Sequence, residues 1–292
     1  MANFGPKDIK KLREMTDAGM MDCKQALAAT DGDMEKAQEW LRKKGLGAAA
    51  KKADKVATEG AVAIKVDGNK AFMVEINSQT DFVAKNEKFQ SFVNEVLEHV
   101  AANDFESAEE INASEINGQP FADYLALQIA TIGENLVVRR YAKVVTDGSL
   151  GTYVHANGKV GVIVASDTEG VEDALKNIAM HAAAMNPNYI NEAAVPAEII
   201  EKEKEIAREQ LLKEGKPEAI LEKILPGKIK RFLQDNTLEN QKFVMDDKIS
   251  VADALKQANK DAKLSEYVRF ELGEGVEKVE EDFAAEVAKQ MA

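Results

Sequence analysis

Few residues of the kinds that perform chemistry are spaced in this chain as a reaction or a metal site would require. The three histidines, at positions 99, 155 and 181, are too far apart in sequence to match a metal-binding motif. No CxxC, HExxH or GxxxxGK[ST] pattern occurs anywhere in the sequence. We therefore predict no catalytic residue, no metal ligand and no cofactor, and we do not expect an enzyme.

The lone cysteine and the histidines have simpler interpretations. Cys23 follows Asp22 at a predicted helix start, which can lower the pKa of a thiol, but a small, partly buried helix residue is the favoured interpretation. We interpret His99 and His181 as helix residues at the edge of the core rather than as an acid–base pair. His155 ends a predicted strand beside a turn, where a surface contact and a structural role are both open.

The segment NSQTDFVAKN, residues 77–86, places an aromatic residue next to a carboxylate outside any regular pattern. Phe82 and Val83 lie between Asp81 and Lys85, and no helical or strand period is long enough to bury them. We predict a loop here. Phe82 either folds back onto a sheet or is suited to enter an apolar cleft of another protein.

Composition excludes several classes of protein. The 292 residues include 51 acidic and 38 basic ones, a net charge of −13 that opposes general nucleic-acid binding. No run of 18 apolar residues could cross a membrane, and the N-terminus has no secretory signal. One cysteine excludes an internal disulfide network and fits a reducing compartment. We predict a cytoplasmic protein that binds neither nucleic acid directly nor membranes.

Residues 1–45 are predicted to form a three-helix module. Its second helix is expected to start at Cys23, capped by Asp22, and its third to stop at Gly45. Met20 and Met21 fall between the first two helices, and we expect at least one of them to be exposed. The small residues of 46–58 predict a linker or a loosely held helix, and the net-positive module before this segment would then be a tether.

An internal repeat organises the middle of the chain. Residues 60–76 and 148–165 each predict two strands around a tight turn, at Gly68 and Gly158, followed by a helix with one apolar stripe. His99 and His181 hold the same place in the two stripes. From turn glycine to histidine the first copy has 31 residues and the second 23, and we place the eight additional residues in segment 77–86. A loop longer than packing requires is often functional.

The predicted fold class is α+β. It combines the three-helix module, two repeated antiparallel-sheet and helix subdomains, a protruding helical hairpin and a C-terminal helix. The first subdomain is expected at 59–147, and the second at 148–194 and 246–272. The hairpin is expected at 195–245, split at Gly215, and a C-terminal module at 273–292.

Five segments in order along the chain resemble the bacterial elongation factor Ts family. They are LREMTDAGMMDCKQAL (12–27), VEINSQTDFVAKN (74–86), IGENLVVRR (132–140), HANGKVGV (155–162) and AMHAAA (179–184). The first 45 residues are also similar to that family's ubiquitin-associated-like module. The family consists of guanine-nucleotide exchange factors for elongation factor Tu.

The resemblance implies a partner and a mechanism. The partner would be elongation factor Tu, in its GDP-bound and nucleotide-free forms. Thr80, Asp81, Phe82 and Val83 would enter its GTPase domain near the magnesium site, where Phe82 pushes between helices and Asp81 contacts the displaced elements. The Mg²⁺ would then lose its coordination, and GDP would leave.

Other contacts and other functions are also implied. The resemblance assigns Met20 and Met21 to holding the same GTPase domain, and His155 to a further contact with the partner. The alternatives are a non-catalytic scaffold and an RNA-associated binding protein. The acidic composition weakens the second, and the long segment 77–86 weakens the first.

Overall fold

A computed structural model describes residues 3–16 and 18–276, apart from the side chain of Ala219. This part of the chain combines helices with small sheets, so the predicted α+β class is confirmed. The predicted C-terminal helix, VEEDFAAEVAKQM, lies outside the described residues. The chain forms two compact units. Of the described residues, the first unit has 3–16, 18–65, 74–142 and 271–276, and the second has 66–73 and 143–270.

The N-terminal helices are α1 (Pro6–Thr16), α2 (Met20–Ala29) and α3 (Met34–Ala50). Asp33 caps α3 by accepting a hydrogen bond from the Lys36 amide. The prediction for the start of α2 was wrong, because this helix begins at Met20 with Gly19 as its N-cap. The apolar cluster between the three helices is completed by one residue from outside the module, Leu127.

The third helix also does not stop at Gly45 as predicted. It continues to Ala50, so the first residues of segment 46–58 are helical, which is one of the two forms expected for it. Gly45 is buried in a close helix contact: a Cβ atom there would lie 3.1 Å from Leu127 Cδ2 and 3.4 Å from the Ala126 backbone. The glycine therefore permits close packing rather than ending the helix. The three-helix module packs within the first unit. Its role as a tether for a partner stays a prediction.

The first copy of the repeat begins with β1 (Glu59–Asp67) and β2 (Lys70–Ser78), joined by the predicted turn. A short helix α4 (Asp81–Ala84) precedes α5 (Glu87–Asn103), which buries the predicted apolar stripe. The remaining elements are α6 (Ala108–Ala113), β3 (Glu115–Ile116), β4 (Gln119–Pro120), α7 (Phe121–Ile132) and β5 (Val137–Val145). Its main sheet has the strand order β1-β2-β5.

The second copy repeats this order with β6 (Ser149–Val154), β7 (Val160–Ser166) and α8 (Glu172–Met185). Strands β6 and β7 pair antiparallel, from Ser149 opposite Ser166 to Val154 opposite Gly161. After an insertion, α11 (Val251–Ala258) and β10 (Leu264–Glu271) complete a sheet of order β10-β7-β6. In both copies, the second strand of the hairpin is the central strand.

The insertion holds the predicted pair of long helices, α9 (Ala197–Lys213) and α10 (Glu218–Asn236). They pack through Ala207, Leu211, Leu221 and Leu225, and Gly215 between them has a positive φ of 75°. A small ribbon of β8 (Lys242–Phe243) and β9 (Asp246–Ser250) follows, which the sequence pattern did not predict. Among the described helices, none has a stretch long and apolar enough to cross a membrane.

Candidate functional site

The β2–α5 connection, residues 79–86, contains the predicted partner-binding residues. It has eight residues, whereas the β7–α8 connection, residues 167–171, has five. The prediction that all eight additional residues of the first copy lie in segment 77–86 is therefore wrong. Some of the additional residues lengthen the strand, since β2 has nine residues and β7 has seven. Others lengthen the start of the helix, because α5 begins further before His99 than α8 begins before His181.

Thr80 starts a short helical turn where the sequence predicted an irregular loop. Its backbone is extended (φ −123°, ψ 153°), and its hydroxyl accepts a hydrogen bond from the Val83 amide at 3.3 Å, as an N-cap does. At the other end, the Asn86 amide donates to the Val83 carbonyl, and Asn86 Oδ1 caps α5 through the Lys88 amide. Both ends of α4 are thus held by capping bonds.

Glu134, at the junction of α7 and β5, binds the start of this connection. Its Oε2 accepts hydrogen bonds from the amides of Gln79 and Thr80, both at 3.0 Å. Its Oε1 accepts the hydroxyl proton of Thr80 at 2.7 Å. Glu134 lies within the segment IGENLVVRR, but no pattern in the sequence indicates its role, because its partners are 54 and 55 residues away.

Asn135 adds a second set of bonds at the same junction. Its amide donates to Gln79 Oε1 at 2.9 Å, and its side-chain Nδ2 donates to the Lys55 carbonyl at 2.8 Å. Asn135 is buried. The α7–β5 junction therefore joins the β2–α5 connection to the chain that enters β1.

Phe82 points away from the protein on this supported turn. Its side chain is 81% exposed, and α4 buries none of its four residues. The alternative in which Phe82 folds back onto the sheet is therefore wrong. Next to it, Asp81 pairs with Lys85 at 2.8 Å, and this hydrogen bond raises the pKa of Lys85. The site thus presents a large apolar side chain between charged neighbours.

Met20 and Met21 are 61% and 64% exposed, so the expectation that at least one is exposed is confirmed. They lie in the first turn of α2 and not in a loop as predicted. Met20 borders a groove of about 520 Å³ whose other wall includes Glu87 and Lys88, directly after the β2–α5 connection. The structure therefore brings Met20 and the end of this connection to one groove of the first unit.

His155 belongs to the second unit, in the turn between β6 and β7. It is exposed; its amide donates to the Val160 carbonyl at 2.9 Å, and its Nδ1 lies 3.1 Å from the Tyr153 hydroxyl. Both of the open interpretations, a surface contact and a structural role, remain compatible with this position.

The other candidate residues are buried. Burial raises the pKa of the Cys23 thiol, which argues against an activated nucleophile. His181 is fully buried rather than at the edge of the core: its Nδ1 accepts from the Val244 amide, so its Nε2 donates to Gln241 Oε1. Within residues 3–16 and 18–276, no three His, Cys, Asp or Glu side chains are grouped as metal ligands.

Comparison with known proteins identifies similar chains over nearly the full length. A family model described as Elongation factor TS matches residues 79–274. The Elongation factor Ts of a Nitratiruptor species is 56% identical, with 97% of each chain covered. The Elongation factor Ts of a Sulfurovum species is 49% identical, with 100% of each chain covered. That of Halothermothrix orenii is 46% identical, and the match covers 98% of this chain and 97% of the relative.

Proposed function

The chain belongs to the elongation factor Ts family, and we propose that it is a guanine-nucleotide exchange factor that promotes GDP release from elongation factor Tu during translation elongation. The observation that carries this proposal is the exposed Phe82 on a turn fixed at both ends. A rigid apolar side chain directed at solvent suits insertion into a partner better than it suits folding of its own chain.

The β2–α5 connection would act on the partner's metal site. Phe82 enters an apolar cleft between helices of the GTPase domain, and its burial supplies about 1.5–3 kcal/mol. The Asp81 carboxylate contacts the elements that move, while Thr80 and Val83 hold the turn in shape. The Mg²⁺ bound by the partner loses its coordination, which weakens binding of the GDP phosphates. No covalent bond forms or breaks in this process.

The energy of exchange requires a wider interface than Phe82 alone. A thousandfold to ten-thousandfold faster release corresponds to about 4–5.5 kcal/mol of barrier lowering. We assign the remainder to contacts by the exposed Met20 and Met21 of the N-terminal module, and by His155. Reciprocity requires that the chain bind nucleotide-free partner more tightly than GDP-bound partner.

The proposal is tested directly by following release of fluorescent GDP from purified elongation factor Tu in a stopped-flow instrument. We expect release to accelerate at least a thousandfold at saturating concentrations of this protein. Tight binding without acceleration would favour the scaffold alternative. Release that is accelerated only when RNA is present would favour the RNA-associated alternative.

Magnesium tests the finer mechanism. If Asp81 and Phe82 act through the partner's metal site, chelating Mg²⁺ beforehand should narrow the rate difference between wild type and the Asp81→Ala, Phe82→Ala double variant. The reason is that the partner already holds GDP poorly without its metal. An equally large difference with and without Mg²⁺ would show that the connection acts elsewhere on the partner.

A further inference from the structure

One carboxylate makes more hydrogen bonds to the turn that carries Phe82 than any other side chain does. Glu134 accepts three hydrogen bonds from two consecutive residues, namely the amides of Gln79 and Thr80 and the hydroxyl of Thr80. A hydroxyl has one proton, and here it goes to Glu134. The lone pairs of Thr80 Oγ1 therefore remain available for the Val83 amide, so Glu134 also fixes the direction of the N-cap bond.

The turn has little other support. Helix α4 has four residues and none of them is fully buried; Val83 and Ala84 are partly buried, so its own side chains contribute only limited packing. A single helical turn is unstable in isolation, because fixing its backbone costs more than its first hydrogen bond returns. Its order must therefore come from the bonds at its ends. At the N-terminal end, Glu134 accepts three of these bonds. Ser78 Oγ donates one to the Thr80 carbonyl, and the Asn135 amide donates one to Gln79 Oε1.

Glu134 is itself held in place by the backbone around it. Helix α7 ends at Gly133, whose φ of +94° reverses the chain while its amide bonds to the Ile129 carbonyl. On the other side, the Asn135 amide binds Gln79 Oε1, and its side chain binds the Lys55 carbonyl. The carboxylate thus projects from a junction that is fixed on both sides, and it transmits that order to Thr80.

We propose that Glu134 is a positioning residue that holds the Thr80–Val83 turn in the conformation needed for exchange before the partner arrives. This inference rests on the proposed function, and it concerns a residue that does not reach the nucleotide or the metal. With the turn ordered in advance, insertion of Phe82 does not also have to order the backbone. Loss of Glu134 should therefore slow the exchange step more than it weakens docking through other surfaces.

Glu134→Gln is the sharpest variant because its shape is unchanged. A glutamine has one acceptor oxygen, so either its NH₂ faces the amides of Gln79 and Thr80, or it faces Thr80 Oγ1 and leaves the hydroxyl proton without an acceptor. Glu109→Gln is the matched control, since Glu109 is exposed on α6 and loses the same charge. Should Glu134→Gln fail to fold, Thr80→Val removes one of the three donors to Glu134 at constant shape, together with the N-cap acceptor of the Val83 amide.

The first measurement is amide hydrogen exchange on the free protein. We expect the amides of Gln79, Thr80 and Val83 to exchange at least tenfold faster in Glu134→Gln, with that of Leu97 in α5 unchanged and no effect of Glu109→Gln. Unchanged protection of the three amides would overturn the inference, whatever the kinetics, because the turn would then be ordered without Glu134.

The second measurement is the rate of GDP release as a function of protein concentration. We expect the maximal rate to fall about tenfold in Glu134→Gln, and the half-saturating concentration to change less than twofold. A loosened turn with an unchanged maximal rate, while Phe82→Ala is slow, would overturn the positioning role and leave the proposed function intact. If the wild-type protein does not accelerate release, the proposed function fails, and the role of Glu134 in exchange fails with it.

Discussion

The two copies of the repeat differ most in the connection between their second strand and their helix. Both copies have the same strand order, with β2 central in one sheet and β7 in the other. The β2–α5 connection contains a helical turn and exposes Phe82, whereas the β7–α8 connection is a short bend without a helix. The frame therefore folds with the shorter connection, which leaves the longer one available for contacts with a partner.

The two connections are also supported in different ways. The β7–α8 connection is held by its own copy at close range: Ser149 of β6 accepts from the Val171 amide and donates to Glu172 of α8. The β2–α5 connection depends on Glu134 and Asn135, more than 50 residues further along the chain. A connection that packing orders only in part needs this additional support.

The largest effect we expect concerns the shared frame. A Cβ atom on Gly151 of β6 would lie 2.3 Å from the carbonyl carbon of Leu175, so α8 would have to move away from its sheet. Ala61 holds the same place in the first copy, seven residues before the turn glycine, and is already an alanine. We expect Gly151→Ala to lower the free energy of unfolding by about 3 kcal/mol.

The matched change in the first copy is Ala61→Gly, for which we expect a loss of about 1.5 kcal/mol from the deleted methyl group and the added backbone freedom. Urea unfolding followed by circular dichroism measures both. If Gly151→Ala were the milder change, α8 would not lie closer to its sheet than α5 lies to the sheet of the first copy.

The next effect concerns the connections themselves. Phe82→Ala should slow stimulated GDP release about thirtyfold, equivalent to about 2 kcal/mol of lost burial, and leave the thermal melt unchanged. The control is Glu169→Ala in the β7–α8 connection, which is exposed and should leave both quantities unchanged. A collapsed melt for Phe82→Ala would mean that this residue stabilises the fold, and the contrast between the connections would disappear.

A smaller effect concerns the two repeated histidines, His99 and His181, and the pH dependence of the free energy of unfolding. Burial lowers the pKa of both His99 and His181 below the ordinary value of about 6.5. The unfolded chain then binds more protons than the folded one, so stability is retained above pH 6.5 and is lost as the pH falls from 6.5 towards the folded-state pKa. The upper limit is about 1.4 kcal/mol per pH unit for each histidine.

We expect His181 to contribute more of this loss, because it is fully buried and protonation of its Nδ1 would break the bond from the Val244 amide. Urea unfolding at pH 7.5 and 5.5 should therefore show a weaker pH dependence for His181→Gln than for His99→Gln. An equal pH dependence of stability in the two variants would mean that burial affects the pKa of the two histidines equally.

The smallest effect concerns α3, which packs on α7 of the first copy. Gly47→Ala should raise the free energy of unfolding by about 0.5–1 kcal/mol, because a Cβ atom there meets nothing within 4 Å and alanine favours the helix. Gly45→Ala should give no such gain, since its Cβ would press on Leu127. Thermal unfolding of the two variants measures this difference. An equal gain in stability for both would show that α3 and α7 do not pack closely at Gly45.

Local patterns in the sequence were sufficient for much of the fold. The apolar stripe of α5 and the turn glycines Gly68 and Gly158 were predicted correctly, and both glycines have positive φ. These features depend on residues within one helix or one turn, where spacing and backbone freedom act directly. The exposed methionines and the family resemblance were available from short segments for the same reason.

The tertiary structure decided what depends on distant residues. Gly45 was expected to end a helix, but packing against Leu127 makes it an interior residue of α3. Thr80–Val83 was expected to be a loop, but caps and the carboxylate of Glu134 make it a helical turn. A hydrogen bond between residues 54 positions apart leaves no periodic trace in the sequence, because only the folded chain brings its two partners together.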